Sequence, residues 1–122
     1  MLCVAYKNAV GMRRIAWRAA KAAHKVPKYN KQPGYEPAMH AYVKKLEEEV
    51  VNLCKDMLNV INKHLLPKAR RADSAESEVF YMKLQGDYFR YVAEVGDGER
   101  LEKATERALD SYNKALEKCE ES

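Results

Sequence analysis

Five cations of the N-terminal segment, Lys7, Arg14, Arg18, Lys21 and Lys25, follow one another at steps of seven, four, three and four residues. On an α-helix such steps return to the same side, so the five would form one basic stripe. A second basic group lies far along the chain, where Lys83 and Arg90 are again seven residues apart with Asp87 between them. Each pair brackets a glycine on its own face: Gly11 between Lys7 and Arg14, and Gly86 between Lys83 and Arg90. A glycine inside a helix destabilises it by about 1 kcal/mol relative to alanine, so two at matching places ask for a cause. Either the bare backbone makes a floor where a ligand can approach between cations, or another helix crosses closely there. Arginine offers a planar fork to two oxygens at once and lysine adds a point charge, so Lys7, Arg14 and Arg90 would suit a phosphate dianion. Tyr91 could add a hydroxyl donor, and Asp87 could hold the guanidiniums in position. The same residues would also serve as a solvated surface, and spacing alone does not choose between the two.

Other chemistries find less support. His24, His40 and His64 stand in no metal-ligand spacing, there is no Gly-x-Ser-x-Gly elbow, and no phosphate-binding glycine loop precedes a helix. Neither catalysis, nor a metal, nor a cofactor is expected. Nucleic-acid binding is a rival, because the first helix and the loop after it combine eight cations with Tyr6, Trp17, Tyr29 and Tyr35. Against it, Trp17 falls on the side expected to face other helices, and the rest of the chain is acidic.

The elements that must carry these residues follow from composition and punctuation. The 122 residues are 47% hydrophobic and 33% charged, which suits one domain with one core. Charge is uneven: the first 37 residues carry a net +7 and the remainder −3. A basic third implies a negatively charged partner or a solvated helix face. No apolar run approaches the ~20 residues that span a bilayer, and Lys7 comes too early for a signal-peptide core. Cys3, Cys54 and Cys119 are odd in number and far apart. They fit reduced thiols of a soluble protein of the cytoplasm, or also of the nucleus, and read as small core residues.

Four helices are predicted. The first runs from about Leu2 to Lys25 and stops before Pro27, and a loop from Pro27 to Pro37 follows. The second, from about Ala38 to Leu66, carries Val43, Leu46, Val50, Leu53, Met57 and Val60 at alternating three and four steps and is expected to end at Pro67. The third begins with Asp73 or Ser74 as N-cap and reaches Val95. After a tight turn at Gly96-Asp97-Gly98 the fourth runs from about Glu99 to Glu120, with Leu101, Ala104, Ala108, Tyr112, Ala115 and Cys119 as its apolar set. Nothing alternates with period two over a useful length, so the expected fold class is all-α, an antiparallel array of four long helices. Leu84, Gly86 and Phe89 with Ala108, Tyr112 and Ala115 loosely echo a tetratricopeptide helix pair, but such repeats need about three copies to bury a face.

The segment from Leu2 to Arg18, LCVAYKNAVGMRRIAWR, closely resembles the signature of 14-3-3 proteins, and that from Val79 to Glu94, VFYMKLQGDYFRYVAE, resembles their second signature. The similarity continues through Leu66-Pro67 and the Ser77–Tyr81 run, and covers residues 1–122 as one partial 14-3-3-like domain except for the loop from Val26 to Ala38, which departs from the pattern. The resemblance implies an array of antiparallel helices that dimerises and clamps phosphoserine or phosphothreonine peptides in an amphipathic groove. Carried over by motif, Lys7, Arg14 and Arg90 look like the basic phosphate triad and Tyr91 like its hydroxyl partner. Lys83 looks like a groove lysine and Arg18 like an accessory cation, with Asp87 beside them. Ala16, Tyr42, Lys45 and Glu49 look like half of a dimer contact.

The chain resembles the third to the sixth helix of that fold. Two helices that supply one side of the dimer contact would precede it, and three that supply the groove's apolar wall would follow. Helices taken from a longer stack should expose apolar faces, and such patches favour association. A non-native dimer, a swapped assembly or a marginal monomer is therefore expected. The partners expected are phosphorylated proteins or peptides and a second copy of the chain, with no membrane. A role confined to helix association remains the alternative.

Overall fold

The computed structural model describes residues 2–25, 31 and 33–121, so positions 27–30 and 32 of the expected loop from Pro27 to Pro37 lie outside the described residues. Every element in it is helical, and no strand occurs among the described residues. The chain divides into two compact units, one up to Leu53 and one from Cys54 onward.

In the first unit α1 spans Leu2–His24, an alanine-rich stretch with no internal proline and with Lys21 and His24 in its last turn, where cations meet the negative end of the helix dipole. Helix α2 spans Tyr35–Val60 and contributes residues 35–53 to this unit. It starts three residues before the expected Ala38. Gly34 takes a left-handed φ of +77°, its carbonyl accepts the amide of Ala38 at 3.3 Å, and Pro37 falls in the first turn, where a missing N–H leaves no intrahelical bond unmade. The two helices run antiparallel, because their contacts step in opposite directions along the chain: Arg13 with Glu49, Trp17 with Glu47 and His24 with Tyr35. The indole Nε1 of Trp17 donates to Glu47 at 2.9 Å, which satisfies its polar edge while the ring packs. Val10, Ala20, Leu46, Val50 and Val51 are buried.

In the second unit the expected stop at Pro67 does not occur. A π-helical turn, Ile61–Leu65, follows α2, and the Leu66 amide donates back to the Ile61 carbonyl. Pro67 then sits at the start of a short helix, α3, Leu66–Arg71. In the wider turn the prolyl nitrogen stands at a position that needs no donor, so the helical path continues to Arg71. It ends by amides of Asp73 and Ser74 returning to the carbonyls of Arg70 and Ala69, with Asp73 in the left-handed region at φ +51°. Ser74, and not Asp73, caps α4, Ala75–Val95: its hydroxyl accepts the Ser77 amide at 3.3 Å. Gly96 and Asp97 join α4 to α5, Gly98–Glu121, and Gly98 takes φ +53°.

Helices α4 and α5 pack as an antiparallel pair, with Glu78 against Lys118, Asp87 against Tyr112 and Phe89 against Arg107. The buried stripe of α5 is Ala104, Ala108, Ser111 and Ala115, small residues that let the two backbones approach. Leu101 and Cys119, expected in that stripe, are exposed, and Ser111 takes a buried place instead. Of the cysteines only Cys54 is a buried core residue. At the head of the pair Glu78 is buried, yet its carboxylate accepts Arg70 Nε at 3.2 Å and Lys118 Nζ lies at 3.4 Å.

Candidate functional site

The residues expected to meet a phosphate fall in both units: Lys7, Arg14 and Arg18 on α1, and Lys83, Asp87, Arg90 and Tyr91 on α4. On α1 Lys7 and Arg18 are exposed and Arg14 is half-buried, on the side of the helix adjoining buried Val10 and half-buried Trp17. Lys21 Nζ stands 5.6 Å from the centre of the Trp17 ring, a cation–π contact that continues the basic stripe along the indole. A Cβ on Gly11 would meet nothing within 4 Å among the described residues of its unit.

On α4 the fold brings Lys83, Asp87, Arg90 and Tyr91 together. Lys83 Nζ donates to Asp87 Oδ2 at 3.2 Å, and Arg90 Nη2 lies 3.9 Å from Asp87 Oδ1. The guanidinium carbon stands 5.0 Å from the centre of the Tyr91 ring. The carboxylate is 18% exposed, whereas Lys83 and Arg90 are 66% and 55% exposed, so the cations face solvent above a half-sunk anion. Exposed pairs of this kind at three and four residues contribute only about 0.3–0.5 kcal/mol each, so orientation is their main effect here.

A residue from outside both motifs completes the cluster. Tyr112 of α5 donates its hydroxyl to Asp87 Oδ1 at 2.6 Å. Burial, and next the bond to Asp87, raise its phenol above the ordinary range, and the Tyr112 hydroxyl first, with Tyr91 and Asp87, holds the Arg90 guanidinium more firmly protonated. Gly86 explains how the ring fits. A Cβ built there would lie 2.6 Å from Cδ1 of Tyr112, so at this glycine a helix does cross closely, and the two bracketed glycines differ in kind. Tyr112 was legible in the sequence only as one of the apolar positions of α5. Its partner lies 25 residues away, and no local spacing signals the pair.

The residues expected at a dimer contact lie in the first unit. Tyr42 and Lys45 are exposed and Ala16 is half-buried, while Glu49 sits 3.8 Å from Arg13 Nε. On the far side of α1 from Val10, Val4, Met12 and Ile15 are exposed, the last two at 71% and 67%. Among the described residues no group of three His, Cys, Asp or Glu side chains could hold a metal ion, and no helix is long and apolar enough to cross a membrane.

Known proteins are similar to this chain along nearly all of its length. The chain is 38% identical over 117 residues to the checkpoint signal transducer rad24 of Schizosaccharomyces pombe, with 96% of the chain and 42% of the relative covered. It is 39% identical over 119 residues to a 14-3-3 protein of Giardia intestinalis, covering 96% of the chain and 47% of that protein. With 14-3-3 protein homolog 2 of Echinococcus multilocularis it shares 42% over 122 residues, 98% of the chain and 46% of the relative. The chain thus spans about half the length of the curated relatives it matches. The family profile described as 14-3-3 protein matches residues 1–122, and with every described element helical, the chain belongs to the 14-3-3 family.

Proposed function

We propose that this chain is a phosphoserine- and phosphothreonine-binding adaptor and not an enzyme, and that residues 1–122 form part of one 14-3-3 domain. Lys7, Arg14 and Arg90 act on the phosphate, Tyr91 adds a hydroxyl donor, Arg18 and Lys83 attract the peptide from the sides, and Asp87 orients the cations of α4. The observation that carries this is the cluster on α4, where a fork-shaped cation rests on an aromatic ring, is ion-paired to a half-sunk carboxylate and still faces solvent. A guanidinium so held keeps further N–H groups of its fork to offer to the two oxygens of a phosphate while the carboxylate orients it. The test is fluorescence anisotropy of a labelled phosphoserine peptide and its unphosphorylated twin at physiological salt. Only the phosphorylated peptide should bind, and Arg14→Glu with Arg90→Glu should abolish that binding while helicity is kept. Unchanged affinity in that variant removes both arginines from the site.

The exposed apolar side chains favour a second activity of the same chain, association with a copy of itself. Met12 and Ile15 of α1, together with Ala16, Tyr42, Lys45 and Glu49, supply one face for it, and Leu109 and Leu116 of α5 supply another apolar patch. Sedimentation should show dimers or larger species as concentration rises, weakened by Met12→Lys with Ile15→Lys. A compact monomer at high concentration would overturn this.

A further inference from the structure

Tyr112 stands where α5 meets the basic cluster of α4, and its surroundings leave it little freedom. Cδ1, Cε1 and Cζ of its ring lie so close to Gly86 that any side chain at that position would strike them. Its hydroxyl donates to Oδ1 of Asp87 at 2.6 Å, the length of a charge-assisted bond from a hydroxyl to a carboxylate. The other oxygen of Asp87 receives Lys83, and Arg90 lies 3.9 Å from Oδ1. Both cations are largely exposed and belong to the same helix as the carboxylate, so on their own they would pull it through several rotamers. The contact from a different helix is the hydroxyl, and it is anchored by packing.

We propose that Tyr112 is a positioning residue for phosphate recognition: its ring, seated on the bare backbone of Gly86, fixes the Asp87 carboxylate and through it aims the Arg90 guanidinium and the Lys83 ammonium. This rests on the assignment of Arg90 to phosphate contact made above. A fork held in one orientation meets two phosphate oxygens without first being ordered, so the loss of the hydroxyl should weaken phosphate-dependent binding without removing any charge. It also gives Gly86 a purpose besides close packing, since a larger residue there would displace the ring that sets the aim.

Tyr112→Phe is the test, because it keeps the ring on Gly86 and deletes only the hydroxyl. Phosphopeptide affinity should fall about three- to tenfold, the worth of one ordinary hydrogen bond, while the unphosphorylated twin is unaffected. Relaxation of the Arg90 Nε–H in the absence of peptide should show a more mobile guanidinium, which a merely structural tyrosine would not produce. Asp87→Asn should weaken binding to a similar degree, and adding Tyr112→Phe to it should change little further. Arg90→Ala separates the two claims. If it abolishes phosphate-dependent binding while Tyr112→Phe leaves affinity and Arg90 mobility unchanged, the site stands and the positioning role is overturned. If Arg90→Ala leaves binding intact, the site assignment falls and the positioning role falls with it.

Discussion

The two bracketed glycines offer a sharp test of the packing, because the same substitution should have opposite signs at the two places. At Gly11 a methyl group would enter open space, with nothing within 4 Å, in the interior of α1. Gly11→Ala should therefore return most of the helix-propensity difference and stabilise the protein by about 1 kcal/mol. At Gly86 the same gain is opposed by overlap with Tyr112, whose Cδ1 and Cζ would lie 2.6 and 2.8 Å from the new carbon, against about 3.5–4.0 Å for relaxed carbon contacts. The ring must retreat by roughly an ångström. It cannot do so freely, since its hydroxyl is bound to Asp87 and α5 is held to α4 by a stripe of small buried residues. Overpacking of this kind destabilises by about 1–3 kcal/mol, and release of the hydroxyl adds about 1 kcal/mol, so Gly86→Ala should end about 1–3 kcal/mol less stable after the propensity gain. Urea unfolding followed by far-ultraviolet circular dichroism would show the two signs, and native-state hydrogen exchange would place the second loss in α4 and α5. Each kcal/mol moves the melting temperature by about 3–5 °C for a chain of this length. Truncating the ring in Gly86→Ala with Tyr112→Ala should relieve the overlap. A Gly86→Ala variant as stable as Gly11→Ala would refute the close crossing and with it the seat proposed for Tyr112.

Two further outcomes follow from the second unit. Glu78→Gln keeps the shape but loses the charge that holds Arg70 of α3 and Lys118 of α5, and should lower stability by about 1–3 kcal/mol in the same urea experiment, since a buried carboxylate with two cationic partners is being dismantled. A neutral effect would mean that the two pairs do not outweigh the desolvation of the carboxylate. Tyr112 carries a phenol raised above its ordinary value of about 10, first by burial. The folded protein keeps this proton where the unfolded chain has lost it, so the linked stability is whole below about pH 10 and disappears as pH climbs through the folded-state value. A tyrosinate absorbance titration of Tyr112→Phe should lack a late step that the parent shows, and parent and variant curves differing only in an early step would contradict the shift.

Much of this protein was legible before its fold. The period of α2 was read correctly at Leu46, Val50 and Met57, and the cations of α1 and of α4 were grouped by spacing alone. Helical spacing is set by the backbone itself, so residues three, four and seven apart share a side whatever surrounds them. The family could be read for the same reason, because its signatures are contiguous stretches of α1 and α4. Errors arose where a local rule met a wider context. Proline was expected to stop the second helix, yet a π-helical turn placed Pro67 where no donor is needed. Leu101 was expected inside on hydrophobicity, yet the buried side of α5 is chosen by the small residues that face α4.

What only tertiary structure decided are the contacts between helices. Trp17 with Glu47, Glu78 with Arg70 and Lys118, and Asp87 with Tyr112 join residues on different helices. Which residue of one helix comes opposite which residue of the next depends on the turn that joins them and on how near the small residues let them pack. That is a property of the register between two helices and not of the period within one. The identity of the basic residues was therefore determined by the sequence, but the anchoring of the α4 cluster by a tyrosine was not. A hydroxyl 25 residues away becomes a neighbour only when α5 folds back along α4 and Gly86 leaves room for its ring.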